Sequence, residues 1–374
     1  MTASYDVAID GDGPVGCTLA LALAAQGLRV ALRGLAPAAA NQDTQDLRAY
    51  ALNPASCHTL QQLQAWPEPA HCQPLHGLRV YAGAQEALQF NDAPTQPLGW
   101  LVRATDLHAS LHRALAAQPL VQQLKANPSG APKAALHVHA EGKHGTNGLG
   151  PPEVLPYPHH ALALHVRVAQ PHRGLAYQWF DDDCILALLP LSADGEADQA
   201  NRMAVVWSMP AAQAASWQHA SAETLAQHLA HQSHGALGTF EVTSAVARWP
   251  LQLTRHRHWV APGRARVGDA AHTVHPLAGQ GLNLGLADAA ALAACVATRG
   301  KGEAPGSMRV LRRYSRQRRL DTALMQTTTE ALFFGLTPPR PLPQALRQVG
   351  LSAFNAMAPL KRWATRHAMG LAAG

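Results

Sequence analysis

The stretch YDVAIDGDGPVGCTLALALAAQGLRVALRG, residues 5–34, leaves this chain few ways to fold. Val7 and Ile9 read as a buried strand, the mostly apolar run 17–25 as a packed helix that Gly27 ends, and LRVAL as a second strand. Between strand and helix stand Gly11, Gly13 and Gly16, spaced G-x-G-x-x-G, with Pro14 and Val15 inside the turn. Each glycine has its own use there: a tight turn, backbone approach to a pyrophosphate, and close packing of helix on strand. The segment predicts a βαβ unit that opens a parallel sheet and binds a dinucleotide. An acidic residue to hold the adenosine ribose is expected at the end of the second strand, but the chain has Arg33 and Gly34 there. An arginine at that point suits the 2′-phosphate of NADP, so this motif alone leaves FAD and NADP open.

A second glycine cluster settles the choice. Residues 268–285, GDAAHTVHPLAGQGLNLG, lead into the apolar helical run LADAAALAACVA. A nicotinamide dinucleotide domain has no use for a second Gly-rich helix entry so far along the chain. A flavin dinucleotide is longer: its ribityl hydroxyls need a carboxylate acceptor, and its ring edge becomes anionic on reduction. Asp269 is placed to accept from the ribityl chain. Backbone N–H groups around Gly281, Leu282 and Asn283, with the dipole of the following helix, suit the charge of the reduced ring. FAD is the expected cofactor.

The chain has 374 residues, of which 47% are hydrophobic and 14% charged. That suffices for a large core and for two domains or one domain with an insertion. The formal net charge of +6 is scattered apart from RVLRRYSRQRRL, 309–320, on a predicted helix. Its plainest reading is a solvated face, and contact with anionic lipid or an acidic partner is the sharper one. Nothing interleaves aromatic and basic residues as base stacking requires, so no nucleic-acid partner is expected. Five widely spaced cysteines without a C-x-x-C pair indicate neither a disulfide framework nor a zinc site. The 21 histidines lack a supporting carboxylate constellation, so no metal is expected. With acidic residues near its N-terminus and no run of eighteen apolar residues, the chain reads as cytoplasmic, touching a membrane only peripherally at its inner face.

Along the chain, 76–100 alternates as a small sheet would, and LVRATDLHASLHRALAAQ, 101–118, reads as a helix capped by Thr105. Residues 126–160 look weakly structured. ALALHVRV, GLAYQWF, CILALLPL and RMAVVWSM, within 161–210, are four strand candidates of an antiparallel sheet, followed by a helix near 221–234. The expected architecture is α/β: a Rossmann-like FAD-binding domain with an inserted, mainly antiparallel β-sheet substrate domain and C-terminal helices. The expected divisions are 1–75, 101–160 and 251–300 for the FAD-binding domain, 76–100 and 161–250 for the inserted sheet, and 301–374 for the helical tail.

Taken together, GDGPVG, DLRAYALNPAS (46–56), VRATDLHASL (102–111) and GDAAHTVHPLAGQGLNLGLADAAAL resemble the FAD-dependent aromatic hydroxylases of ubiquinone biosynthesis. These are flavoprotein monooxygenases of the p-hydroxybenzoate hydroxylase (PHBH) fold, and the resemblance spans nearly the whole chain. It implies that Gly11, Gly13 and Gly16 hold the FAD pyrophosphate and that Arg48 lies near the flavin. Arg103 would contact the phosphates or ribityl, and Asp269 the ribityl–pyrophosphate region. Pro276, Gly279, Gln280, Gly281, Leu282 and Asn283 would line the ring. His272 and His275 are read as packing or loop-shaping residues, because in this family the flavin carries the chemistry.

The activity implied is hydroxylation of a polyprenylated phenol by NADPH or NADH and O2, through a flavin C4a-hydroperoxide. Alternatives are a non-catalytic FAD-binding member of a biosynthetic assembly and a hydroxylase of another aromatic compound; partner subunits or a homo-oligomer are in keeping with either. Two departures bear on this. The family's middle motif, Asp-Gly followed by Arg-Ser and a further Arg, is here HAEGKHGTNGLG: Glu141 precedes Gly142, and the later Ser and Arg are missing. Arg33 replaces the ribose acid. Lys143 or His144 is the expected substitute for the missing positive charge.

Overall fold

The computed structural model describes residues 5–34, 46–83, 85–90, 96–125, 132–144, 149–181, 183–193, 201–273 and 280–336. Its first sheet has six strands in the order Val260–Ala261, Arg264–Arg266, Ala134–His139, Tyr5–Asp10, Val30–Arg33 and Val121–Leu124. All neighbours are parallel except the short antiparallel pair at the Val260–Ala261 edge. Tyr5–Asp10 is central, as a strand apolar on both faces must be. The helix Pro14–Ala24 lies on this sheet and packs against Gly281–Ala297, so the two glycine motifs enter neighbouring helices. Ile9, Leu19, Leu23, Val138, Leu292 and Val296 share one core that also takes Leu311 and Tyr314 from the long helix Met308–Leu336. Each such side chain contributes about 1.5–3 kcal/mol by leaving water.

The second sheet has eight strands and is mainly antiparallel. Its order runs Phe240–Val242, Glu153–Val168, Arg202–Pro210, Cys184–Pro190, Leu175–Asp181, Gly77–Ala82 and Gln85–Phe90, with Ala247–Arg255 also paired to Glu153–Val168. The one parallel pair, Leu175–Asp181 with Gly77–Ala82, joins chain segments from before and after the third strand of the first sheet. Alternation splits this sheet's side chains. Leu162, Leu164, Leu186, Leu188, Val205 and Trp207 form a core with Leu225 and Leu229 of the helix Ala222–Gln232. Val80, Phe180 and Ile185 form a smaller apolar cluster. The run CILALLPL is therefore divided between two faces rather than given to one.

Three details differ from the sequence reading. The helix near 101–118 starts at Ala104, because 99–103 is a strand of a separate three-stranded sheet with Ala49–Leu52 and Cys72–Leu75; its N-cap is Arg103, not Thr105. The stretch thought weakly structured holds the parallel strand Ala134–His139 and the start of Glu153–Val168. Local composition hid them, but Leu136 and Val138 are fully buried by neighbouring strands. Short helices at Pro54–Gln62 and Ala211–Gln218 carried no strong periodic signal. Of the helical tail, residues beyond 336 lie outside the described ones.

Candidate functional site

The turn after the first strand is braced from both sides. Gly11 sits at φ +109°, where side chains are disfavoured, and its N–H donates to Arg33 O at 2.9 Å. A Cβ on Gly11 would overlap Ala140 O, and one on Gly16 would overlap Gly11 O. Gly13 differs: a Cβ there would meet no atom within 4 Å, so this glycine borders open space. Pro14 opens its helix, whose N-cap offers no side-chain hydrogen bond and whose first turn holds no acid. The unsatisfied N–H groups and the helix dipole leave a place for negative charge.

Val15 links this turn to the second motif. Its Cγ2 lies 2.6 Å from where a Cβ on Gly285 would stand, and both its γ carbons lie 3.3 Å from a Cβ placed on Gly268. The helix Gly281–Ala297 has Gln280 as N-cap, again with no capping hydrogen bond and no acid in the first turn. Two uncapped helix N-termini thus stand side by side. Gly281 and Leu282 are half-buried, and Asn283 is buried.

The Asn283 side chain is wholly engaged by protein. Nδ2 donates to Ala51 O at 2.8 Å and to Gln280 Oε1 at 2.9 Å. Oδ1 accepts from the Asn53 N–H at 3.0 Å and from Ser56 Oγ at 2.8 Å. Asn283 therefore fixes its helix to the strand Ala49–Leu52, and only its backbone is left to face a ligand. Pro276 and Gly279 lie outside the described residues, as does His275.

Asp269 sits in the single turn Gly268–Ala270. Burial pushes its carboxyl above the usual range; Lys143, His272 and Arg48 pull against that, and Asp288 adds to it. Arg48 is gripped by Asp46 through Nε at 2.8 Å and Nη2 at 2.6 Å, and lies 5.8 Å over the Tyr50 ring. Arg103 stands opposite Ala49 in the small sheet and donates from Nε to Asp106 Oδ2 at 2.7 Å. Ala104 N–H bonds Arg48 O at 2.9 Å, which brings the backbones of the two expected arginines together. Across the seam, His165 of the large sheet meets Leu47 O through Nε2 at 3.0 Å. Burial holds that imidazole below its usual range; the Leu47 contact opposes, and the charges of Arg202 and Arg103 add to the lowering.

Both sequence departures turn inward. Arg33 donates from Nε to Asp10 Oδ1 at 2.6 Å, so the arginine in the ribose-acid position is held by the adjacent strand. Glu141 Oε2 lies 3.3 Å from His139 Nδ1, and Asp10 Oδ2 lies 3.8 Å from it. Ligand atoms of Asp10, His139 and Glu141 fall within 4.8 Å of one another, a spacing that a cation could bridge. The Arg33 guanidinium already supplies positive charge to Asp10 there. Lys143 is exposed and acts on Asp269 through its charge.

Sequence reasoning missed what lies behind Asp269. Asp288, fully buried, accepts from His272 Nε2 at 2.7 Å and Arg318 Nε at 2.7 Å, and its other bond is to the Gly268 N–H at 2.9 Å. Burial would raise this carboxyl, but the charges and hydrogen bonds of His272 and Arg318 outweigh it and hold it below the usual range. A single carboxylate in an otherwise apolar helical run was the available signal. His272 stacks on Trp259 at 4.9 Å and is buried, which agrees with a loop-shaping role. The basic run is also not simply a solvated face: Arg318 is buried on Asp288, and Arg313 bonds Cys295 O and Thr298 Oγ1 at 2.5 Å each.

The pieces fit one extended flavin dinucleotide. There are two uncapped helix N-termini, a glycine bordering open space in the first turn, and a partly buried acid between the two motifs.

Comparison with known proteins agrees. A family described as "FAD binding domain" matches residues 136–328. The chain is 31% identical over 394 residues to 3-demethoxyubiquinol 3-hydroxylase of Escherichia coli, covering 98% of each. It is 32% identical to ubiquinone hydroxylase UbiL of Rhodospirillum rubrum, covering 98% of this chain and 89% of the relative. Among solved structures, PqsL of Pseudomonas aeruginosa, a probable FAD-dependent monooxygenase, superposes with TM-score 0.74 at 21% identity over 94% of this chain and 100% of its own. The p-nitrophenol 4-monooxygenase PnpA of Pseudomonas putida gives TM-score 0.76 at 18% identity, covering 100% and 99%. These last two establish the fold.

Proposed function

The chain belongs to the FAD-dependent hydroxylases of ubiquinone biosynthesis, a family of aromatic-ring monooxygenases, and on that premise we propose that it hydroxylates a polyprenylated phenol with O2 and NADPH or NADH. The observation that supports this is the packing of Val15 against Gly268 and Gly285, which sets two uncapped helix N-termini beside the turn that carries Asp269.

In this reading the turn of Gly11, Gly13, Pro14, Val15 and Gly16 receives the pyrophosphate, with the N–H groups at the helix start (Val15 and Gly16) supplying donors and the dipole supplying field; the Gly11 N–H is already given to Arg33 O. Asp269 accepts from the ribityl hydroxyls. Gln280, Gly281, Leu282 and the Asn283 backbone border the ring, where the first-turn N–H groups offset negative charge. Hydride acceptance and activation of O2 are the chemistry that FAD supplies when bound. The protein's part is to orient the phenol and keep water out. The half-buried Leu78, Phe90 and Tyr157, packed on the buried Val80, Phe180 and Ile185, are the apolar side chains we assign to a ring bearing a prenyl tail.

No helix among the described residues is long and apolar enough to cross a membrane. We assign the reach to a lipid-borne substrate to peripheral contact, which the exposed Leu320 and the exposed Arg312, Arg316 and Arg319 of the long helix favour. Cosedimentation with anionic liposomes at low salt checks this.

The test of the activity is anaerobic mixing of FAD-loaded protein with NADPH or NADH, with and without a prenylated phenol. Faster bleaching of the flavin absorbance in the presence of the phenol, and a hydroxylated product on admitting O2, are the expected results. Bleaching by dithionite but by neither nucleotide would overturn the reading. Because Glu141 faces His139, reduction is expected to be slow relative to relatives that keep the aspartate.

A further inference from the structure

The acid that normally accepts from the adenosine ribose is missing from the end of the second strand, yet a carboxylate stands in that place. Residue 34 is glycine, and its φ is not among the positive ones, so backbone conformation does not demand glycine there. Space does. A Cβ on Gly34 would lie 2.7 Å from Asp12 Oδ2, 3.3 Å from its Cγ and 3.8 Å from Oδ1. The Asp12 carboxylate therefore covers the spot from which a side chain at 34 would start. Gly34 is fixed there by its N–H bond to Leu124 O at 3.1 Å.

Asp12 is the variable residue within G-x-G, directly beside Gly13 and its open face. It is half-exposed, and among the described residues no side chain bonds its carboxylate, whereas the neighbouring Arg33 donates to Asp10. A carboxylate with free acceptor sites, at the mouth of a dinucleotide turn and above the end of the second strand, has the chemistry for a vicinal diol. Each ribose hydroxyl can donate to one of its oxygens.

We propose that Asp12 is the ribose acceptor of this chain: recognition of the adenosine 2′- and 3′-hydroxyls of FAD has moved from the end of the second strand into the glycine turn. Gly34 is the other half of the exchange, since any larger residue would displace the Asp12 carboxylate. This rests on FAD being the cofactor.

The test is the FAD dissociation constant, read from flavin fluorescence, for wild type, Asp12→Asn and the double variant Asp12→Gly with Gly34→Glu. Each is measured with FAD, with FAD lacking the adenosine 2′-hydroxyl, and with FMN. Loss of a hydrogen bond to a charged group predicts that Asp12→Asn weakens FAD about tenfold to a hundredfold and leaves FMN unchanged. The wild type should lose affinity for the deoxy analogue, Asp12→Asn should no longer distinguish it, and the double variant should regain FAD. The comparison of the two dinucleotides on wild type needs no substitution, so it holds even if a variant folds poorly. Equal binding of FAD and its deoxy analogue by wild type overturns the proposal, as does equal FAD binding by Asp12→Asn. A wild type that binds FMN but gains nothing from the adenosine half overturns it too, while one that binds no flavin overturns the cofactor reading beneath it.

Discussion

Val15 Cγ2 occupies the space that a side chain on Gly285 would need, with 2.6 Å separating it from the position of a Cβ. One residue of the first glycine motif thus sets the distance to the second, and the spacing of the two helix ends depends on that fit. Gly285 lies in a helix, where glycine is otherwise unfavourable by about 1 kcal/mol relative to alanine. Its presence there is explained by Val15.

Gly285→Ala is expected to gain helix propensity and still lose stability, because overpacking costs about 1–3 kcal/mol. Thermal unfolding should show a lowered midpoint and FAD titration a weaker complex. Combining it with Val15→Ala should restore both. A single variant as stable as wild type would show that the helices can move apart freely.

Asp269→Ala should lose most of its flavin. The ribityl hydroxyl would be left without an acceptor, at about 1–3 kcal/mol. Absorbance of the purified variant reports this, and an unchanged flavin content would remove Asp269 from the site.

Asp288→Asn should cost about 3 kcal/mol, since it leaves the buried Arg318 with only the exposed Asp321 as counterion. The native carboxyl is held below its ordinary value of 3.8, so its contribution is present at neutral pH and fades as pH falls below that value. Denaturant unfolding at pH 7 should show the loss. The variant's stability should also fall less steeply under acid than that of wild type.

His256 gives a second pH effect at a higher range. Arg266 Nη1 donates to its Nδ1, which requires the neutral ring. Burial first, then the charges of Arg266 and His272, hold its pKa at about 4, against 6.5 in the unfolded chain. The unfolded state takes up a proton before the folded one does, so stability drops between pH 6.5 and 4, by at most about 3 kcal/mol. Replacing His256 by Gln should flatten that part of the stability–pH curve; an unaltered curve would assign the effect to other histidines.

The sequence by itself determined the βαβ opening, the second glycine entry, and from their combination the FAD-binding fold. Those features are local: a turn needs its glycines next to one another, and a helix N-terminus follows within a few residues. Strand alternation likewise announced most of the large sheet. The tertiary structure decided what distant residues do to one another. Ala134–His139 is a strand because its neighbours bury Leu136 and Val138, not because of its own composition. Arg318 looked like part of a solvated basic face until the fold set it on Asp288, 30 residues away. The acid expected near Gly34 looked merely absent until the parallel pairing of the first two strands, Asp10 beside Arg33, brought Asp12 over Gly34. Pairings of this kind depend on the packing of whole elements, which no window of sequence contains.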